Sequence, residues 1–117
     1  MTRQEVFTKI MDTAMAHGFQ TGYNKSSDSY PWISDKSARR YTNIQLTEKY
    51  DVERTDYKNG IYAGHIEISA SVSRMGGNPD AEELLDAADQ IKRAGELVKA
   101  FESMDLSYRE TANDEAA

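Results

Sequence analysis

The chain has 117 residues, two histidines, no cysteine and a formal charge of −6 near neutral pH. That length suits one domain with its own core, and the lack of cysteine excludes a disulfide framework and thiolate chemistry, in keeping with a reducing cytoplasm. The start of the chain lacks the apolar core of a signal peptide and no stretch is apolar enough to span a bilayer, so no membrane association is expected.

Thr2 and Glu5 form a capping box, and Val6, Phe7, Ile10, Met11, Ala14 and Met15 share one face of a first helix that Gly18 ends. Met11 and Met15 read as core filler. Residues 19–40 are irregular, rich in turn formers and aromatics. Short strands are plausible at Phe19 to Tyr23 or at Trp32 and Ile33, and again at Leu106 to Thr111, because two strands alone make a poor sheet. A partner's strand would serve the same end.

The clearest signal is a pair of alternating segments. Ile44, Leu46, Tyr50 and Val52 on one, and Tyr62, Ile66, Ile68, Ala70 and Val72 on the other, all fall on even positions, the period of half-buried strands. A three-residue loop of Lys58, Asn59 and Gly60, with Gly60 left-handed, keeps these side chains on one face and sets Val52 opposite Ile66, Tyr50 opposite Ile68 and Leu46 opposite Val72. The odd face is then polar and hydroxyl-rich, with Glu53 opposed to His65 either as an acid/base pair or as a solvated cross-strand pair. His65-Ile66-Glu67 fits a fragment of the zinc deaminase signature, but the cysteine ligands of such sites are missing.

Gly76-Gly77-Asn78-Pro79 announces a second helix, with Asn78 as cap, Pro79 at the first helical position and an acidic first turn. Leu84, Ala88, Ile91, Gly95, Val98 and Phe101 alternate at spacings of four and three, which predicts one apolar seam packed on the sheet or on another helix. The expected fold is α+β: an N-terminal helix, an antiparallel hairpin extended by short strands, and a long C-terminal helix packed on one sheet face. It occupies residues 1–111 as a single domain, followed by a disordered acidic tail over 112–117.

Charge separates the halves. Met1 to Pro79 carry ten basic and nine acidic side chains, and Asp80 to Ala117 carry four and eleven. The acidic helix reads either as a solvated face or as a mimic of a phosphate track. At the other extreme, Lys36, Arg39, Arg40 and Tyr41, with Lys25, Tyr30 and Trp32, interleave bases and aromatics as a single-stranded nucleic-acid site would. Arg39, Arg40, Arg74, Gly76, Gly77 and Asn78 form a candidate phosphate or nucleotide site at a helix N-terminus. Asn24-Lys25-Ser26 matches a glycosylation sequon that has no meaning without secretion.

No serine-hydrolase elbow, phosphate-loop lysine motif, His-Glu-x-x-His, dinucleotide fingerprint or calcium loop is present. Size, acidity, lack of cysteine and lack of catalytic motifs resemble, in type, the accessory proteins that phages and mobile elements encode against host machinery, including anti-CRISPR and other anti-defence factors. The expectation is a non-enzymatic inhibitor or regulator, without cofactor or metal, that contacts a host or partner protein through Tyr23, Tyr30, Trp32, Lys36, Arg39, Arg40 and Tyr41. The hydroxyl-rich sheet face is a candidate for the same contact or for a homodimer. The alternatives are an oligomer that sequesters a nucleotide and a binder of single-stranded nucleic acid through residues 36–41.

Overall fold

Reciprocal hydrogen bonds start the first helix, α1 (Arg3–Ala16): the Thr2 hydroxyl accepts the Glu5 N–H at 3.1 Å and the Glu5 carboxylate accepts the Thr2 N–H at 3.2 Å. The computed structural model describes residues 1–23 and 30–111, so the sequon, Lys25 and the 112–117 tail lie outside the described residues. Helix α1 buries Val6, Phe7, Ile10 and Ala14, as its spacing predicts, but Met15 is exposed and only Met11 is half-buried. Fourteen residues make four turns, and at about 100° per residue Met15 falls well round the helix from the face formed by Val6, Phe7, Ile10 and Ala14.

All three short strands anticipated from the sequence are present. Strands β1 (Gln20–Tyr23) and β2 (Pro31–Ser34) form a two-stranded antiparallel sheet. A second, three-stranded antiparallel sheet has the order β3 (Thr42–Tyr50), β4 (Ile61–Val72) and β5 (Ser107–Thr111). With the long helix α2 (Ala81–Glu102), these elements enclose one core of Val6, Phe7, Ile10, Phe19, Ile33, Ile44, Ile66, Leu97, Phe101 and Leu106, among others. The fold is α+β, with both helices on the strands as expected.

The even face of the large sheet is the core face, but the register differs from the expected one. Leu46 pairs with Ile68 and Tyr50 with Gly64, so β3 sits four residues back along β4. Val52 is 83% exposed and outside the sheet. The cause is the connection. Asp56 and Ile61 exchange hydrogen bonds of 2.9 and 2.8 Å around the Tyr57–Asn59 turn, which Gly60 closes at φ 67°. Ahead of it, Asp51 folds the chain by accepting the Thr55 N–H at 3.0 Å and the Thr55 hydroxyl at 2.7 Å. The Gly60 conformation was legible, whereas this aspartate turn takes residues 52–55 out of the ladder. The shift is an even number, so the faces keep their identity. Glu53 does not oppose His65; His65 Nε2 lies 3.1 Å from Glu67 on its own strand.

Two local readings of α2 are corrected. Asp80, not Asn78, caps it by accepting the Glu83 N–H at 2.8 Å, so Pro79 precedes the cap. The buried seam is Ala87, Gln90, Ala94, Leu97 and Phe101. It displaces the expected seam because Gln90 is the polar key of the fold, fully buried with its Oε1 on the Tyr41 N–H at 2.8 Å and its Nε2 on the Arg39 carbonyl at 2.7 Å. Leu84, Ala88, Ile91 and Gly95 are left in solvent.

Candidate functional site

Glu48 stands on the even, core-facing row of β3 between Leu46 and Tyr50, and its side chain is only 2% exposed. A carboxylate there is tolerable only if its lone pairs are filled. Arg3, at the first turn of α1, binds it with Nε at 2.9 Å and Nη2 at 3.1 Å. The Tyr30 hydroxyl donates at 2.9 Å, and the Tyr108 hydroxyl donates to the second oxygen. Burial alone would raise the Glu48 pKa, but hydrogen bonds from Arg3, Tyr108 and Tyr30 hold it below the usual carboxylate range. Burial and the neighbouring carboxylate push the Tyr108 and Tyr30 hydroxyls the other way. The centre therefore holds an anion and neutral phenols across the physiological range.

Gly64 makes this reach geometrically possible. A Cβ there would lie 2.7 Å from the Tyr108 hydroxyl and 2.5 Å from the Lys49 carbonyl oxygen, so any side chain would displace the ring that crosses from β5 to β3. Phe7 supports the centre from the helix side. Its ring meets Tyr30 edge-on at 5.9 Å and Tyr23 at 6.5 Å, and the Arg3 guanidinium lies 4.6 Å from its centroid.

Beyond the start of α1 the even face opens into a cleft of about 320 Å³ lined by Arg3, Glu48, Tyr50, Tyr57, Tyr62, Tyr108 and Glu110. Tyr57 and Tyr62 form an edge-to-face corner, with centroids 5.7 Å apart at 72°. Tyr50 is 65% exposed and Tyr57 71% exposed, although Tyr50 lies on a row that elsewhere is core. Glu110, buried on the floor, accepts the Arg3 backbone N–H at 3.0 Å.

The residues nominated from sequence are divided among other tasks. Tyr23 accepts from Gln4 at 2.8 Å, and Tyr30 serves Glu48. Trp32 is exposed with its indole laid against Gly22. Lys36 and Arg40 are exposed, Arg39 pairs with Glu83 at 3.1 Å, and Tyr41 is buried under α2. Tyr23 and Tyr30 thus belong to the α1 side, and residues 39 to 41 to the α2 side. Arg74, Gly76, Gly77 and Asn78 form an exposed turn with Gly77 left-handed, and the Asp80 carboxylate takes an amide that a bound phosphate would need. The reading of sequence missed Glu48, Arg3, Tyr57 and Tyr108. The available signal was a lone charged residue, Glu48, at a core-facing position of an alternating strand.

Among the described residues no group of three or more His, Asp or Glu is placed to hold a metal ion, and no helix is long and apolar enough to cross a membrane. No family model, no curated protein and no solved structure matches this chain.

Proposed function

We propose that this chain is a non-enzymatic binding protein, an inhibitor or regulator of a host or partner protein, and that the tyrosine cleft is its contact surface. The supporting observation is the exposure of Tyr50 and Tyr57 beside Tyr62 around a concave site. Exposing Tyr50 on the core-facing row of β3, with Tyr57 beside it on the following turn, forgoes burial worth roughly 1.5–3 kcal/mol each, and tyrosine is among the residues enriched at the energetic centres of protein interfaces. A catalytic reading gains nothing from Glu48, because four donor contacts already fill its two oxygens.

Affinity capture from a bacterial lysate tests this reading. Tyr57→Ala, at an exposed position outside the core, is expected to keep the folded state and to reduce recovery of the captured protein at least about tenfold, since an interface anchor is worth 1.4 kcal/mol or more. Trp32→Ala is expected to leave recovery unchanged. Loss with Trp32→Ala and retention with Tyr57→Ala would move the contact to the surface nominated from sequence.

A further inference from the structure

We propose that Asn59 is a deamidation site that the fold holds closed, so that its conversion to aspartate or isoaspartate follows opening of the 56–61 turn and then keeps that turn from closing as before. The proposal concerns this turn alone and does not depend on what the tyrosine cleft binds.

An asparagine deamidates when the backbone nitrogen of the next residue gives up its proton and attacks the side-chain carbonyl carbon. The new carbon–nitrogen bond closes a five-membered succinimide, and the side-chain amide leaves as ammonia, carrying a proton equivalent to the one the nitrogen lost. Water then opens either carbonyl of the ring, giving aspartate or, with the main chain rerouted through the side-chain carbon, isoaspartate. The approach is freest where the following residue has no side chain, and Asn59-Gly60 is such a pair. By contrast, Asn78 precedes Pro79, which has no N–H, and Asn43 precedes the branched Ile44 inside β3. Asn59 is exposed, so water reaches it.

The folded turn opposes the attack at both reacting atoms. The Gly60 N–H donates to the Tyr57 carbonyl at 3.1 Å, so the nitrogen that must attack is held in the helical turn. Asn59 Nδ2 donates to Asp56 Oδ2 at 2.6 Å, and the Asn59 N–H donates to the Asp56 carbonyl at 3.2 Å. The side-chain amide is thereby drawn back to the start of the turn, away from Gly60. Asp56 and Ile61 close the ends with a hydrogen bond in each direction. All of these bonds are local and residues 57–59 are exposed, so the turn can open while the core stays folded.

Conversion removes what held the turn shut. Aspartate at 59 replaces the Nδ2 donor with a second carboxylate facing Asp56, and like charges in contact repel. Isoaspartate adds a carbon to the main chain between bonds whose spacing fits the left-handed Gly60 at φ 67°. The same turn sets Tyr57 edge-on to Tyr62 at 5.7 Å, so the change reaches that corner.

Peptide mapping of the full chain, kept in mildly alkaline buffer with and without denaturing urea, tests the site on the tryptic peptide running from Asn59 to Arg74. Conversion is expected in both, at least about tenfold slower in the folded protein. Asp56→Ala is expected to raise the folded-state rate about tenfold and to leave the rate in urea unchanged. The comparison on the native sequence decides even where Asp56→Ala does not fold. Asn59→Asp is expected to speed hydrogen exchange at the Ile61 amide about tenfold, a readout that needs no deamidation. Equal rates with and without urea, no conversion in urea, a folded-state rate that a folded Asp56→Ala leaves unchanged or lowers, or unchanged Ile61 exchange in Asn59→Asp would overturn the proposal.

Discussion

Replacing Glu48 by alanine is expected to destabilise the fold by about 3 kcal/mol in urea denaturation, the lower end of the range for removing one member of a buried charge pair. The lower end applies because the Arg3 side chain is 28% exposed and can recover water, whereas the Tyr108 hydroxyl is buried and loses its acceptor. The loss concerns architecture as much as energy, since Glu48 joins α1 through Arg3, the segment before β2 through Tyr30, and β5 through Tyr108. The pH dependence has a definite sign. The folded-state pKa lies below the ordinary carboxylate value, so this stabilisation is complete above the unfolded pKa of about 4.3 and is lost as pH falls through the folded value. The stability gap between wild type and Glu48→Gln should therefore be constant from about pH 5 to 8 and close in acid. A gap that widened in acid would mean that Glu48 is protonated in the folded protein at neutral pH.

Phe7→Ala carries the second large effect, about 3–5 kcal/mol for deleting an aromatic ring from a packed core. Phe7 is 1% exposed and touches three residues of the centre or its support, namely Tyr23, Tyr30 and Arg3. The upper part of the range is expected, because the vacated space lies between helix and sheet, where neither can close without moving Arg3 off Glu48. The double variant with Glu48→Ala should cost less than the two single changes added together, by about 0.5–3 kcal/mol, since both act through Arg3 and Tyr30. Strict additivity would show that ring and carboxylate stabilise separate parts of the molecule.

Legibility in the sequence followed the range of the interaction. The capping box at Thr2, the left-handed Gly60 and the even/odd division of both strands depend on near neighbours, and all appear in the structure. The register of β3 on β4 depended on how residues 51–60 are folded, and Asp51 and Asp56 resolve that with side-chain hydrogen bonds that alternation does not encode. The α2 seam illustrates a second limit. Two stripes one residue apart compete for the core, and the one containing Leu84 and Ile91 is the more apolar. The other wins because Gln90 pairs with backbone groups 49 and 51 residues away. The Glu48 centre draws partners from three distant segments and so left only an out-of-place acid as its mark.

Light-activated crosslinking with a photoreactive residue at position 57, compared with position 47 on the hydroxyl-rich face, tests the proposed contact surface most directly. The account predicts a covalent adduct with a partner protein from position 57 and none from the exposed position 47. Adducts from position 47 alone would place the contact on the opposite face of the sheet and contradict the tyrosine cleft as the binding surface.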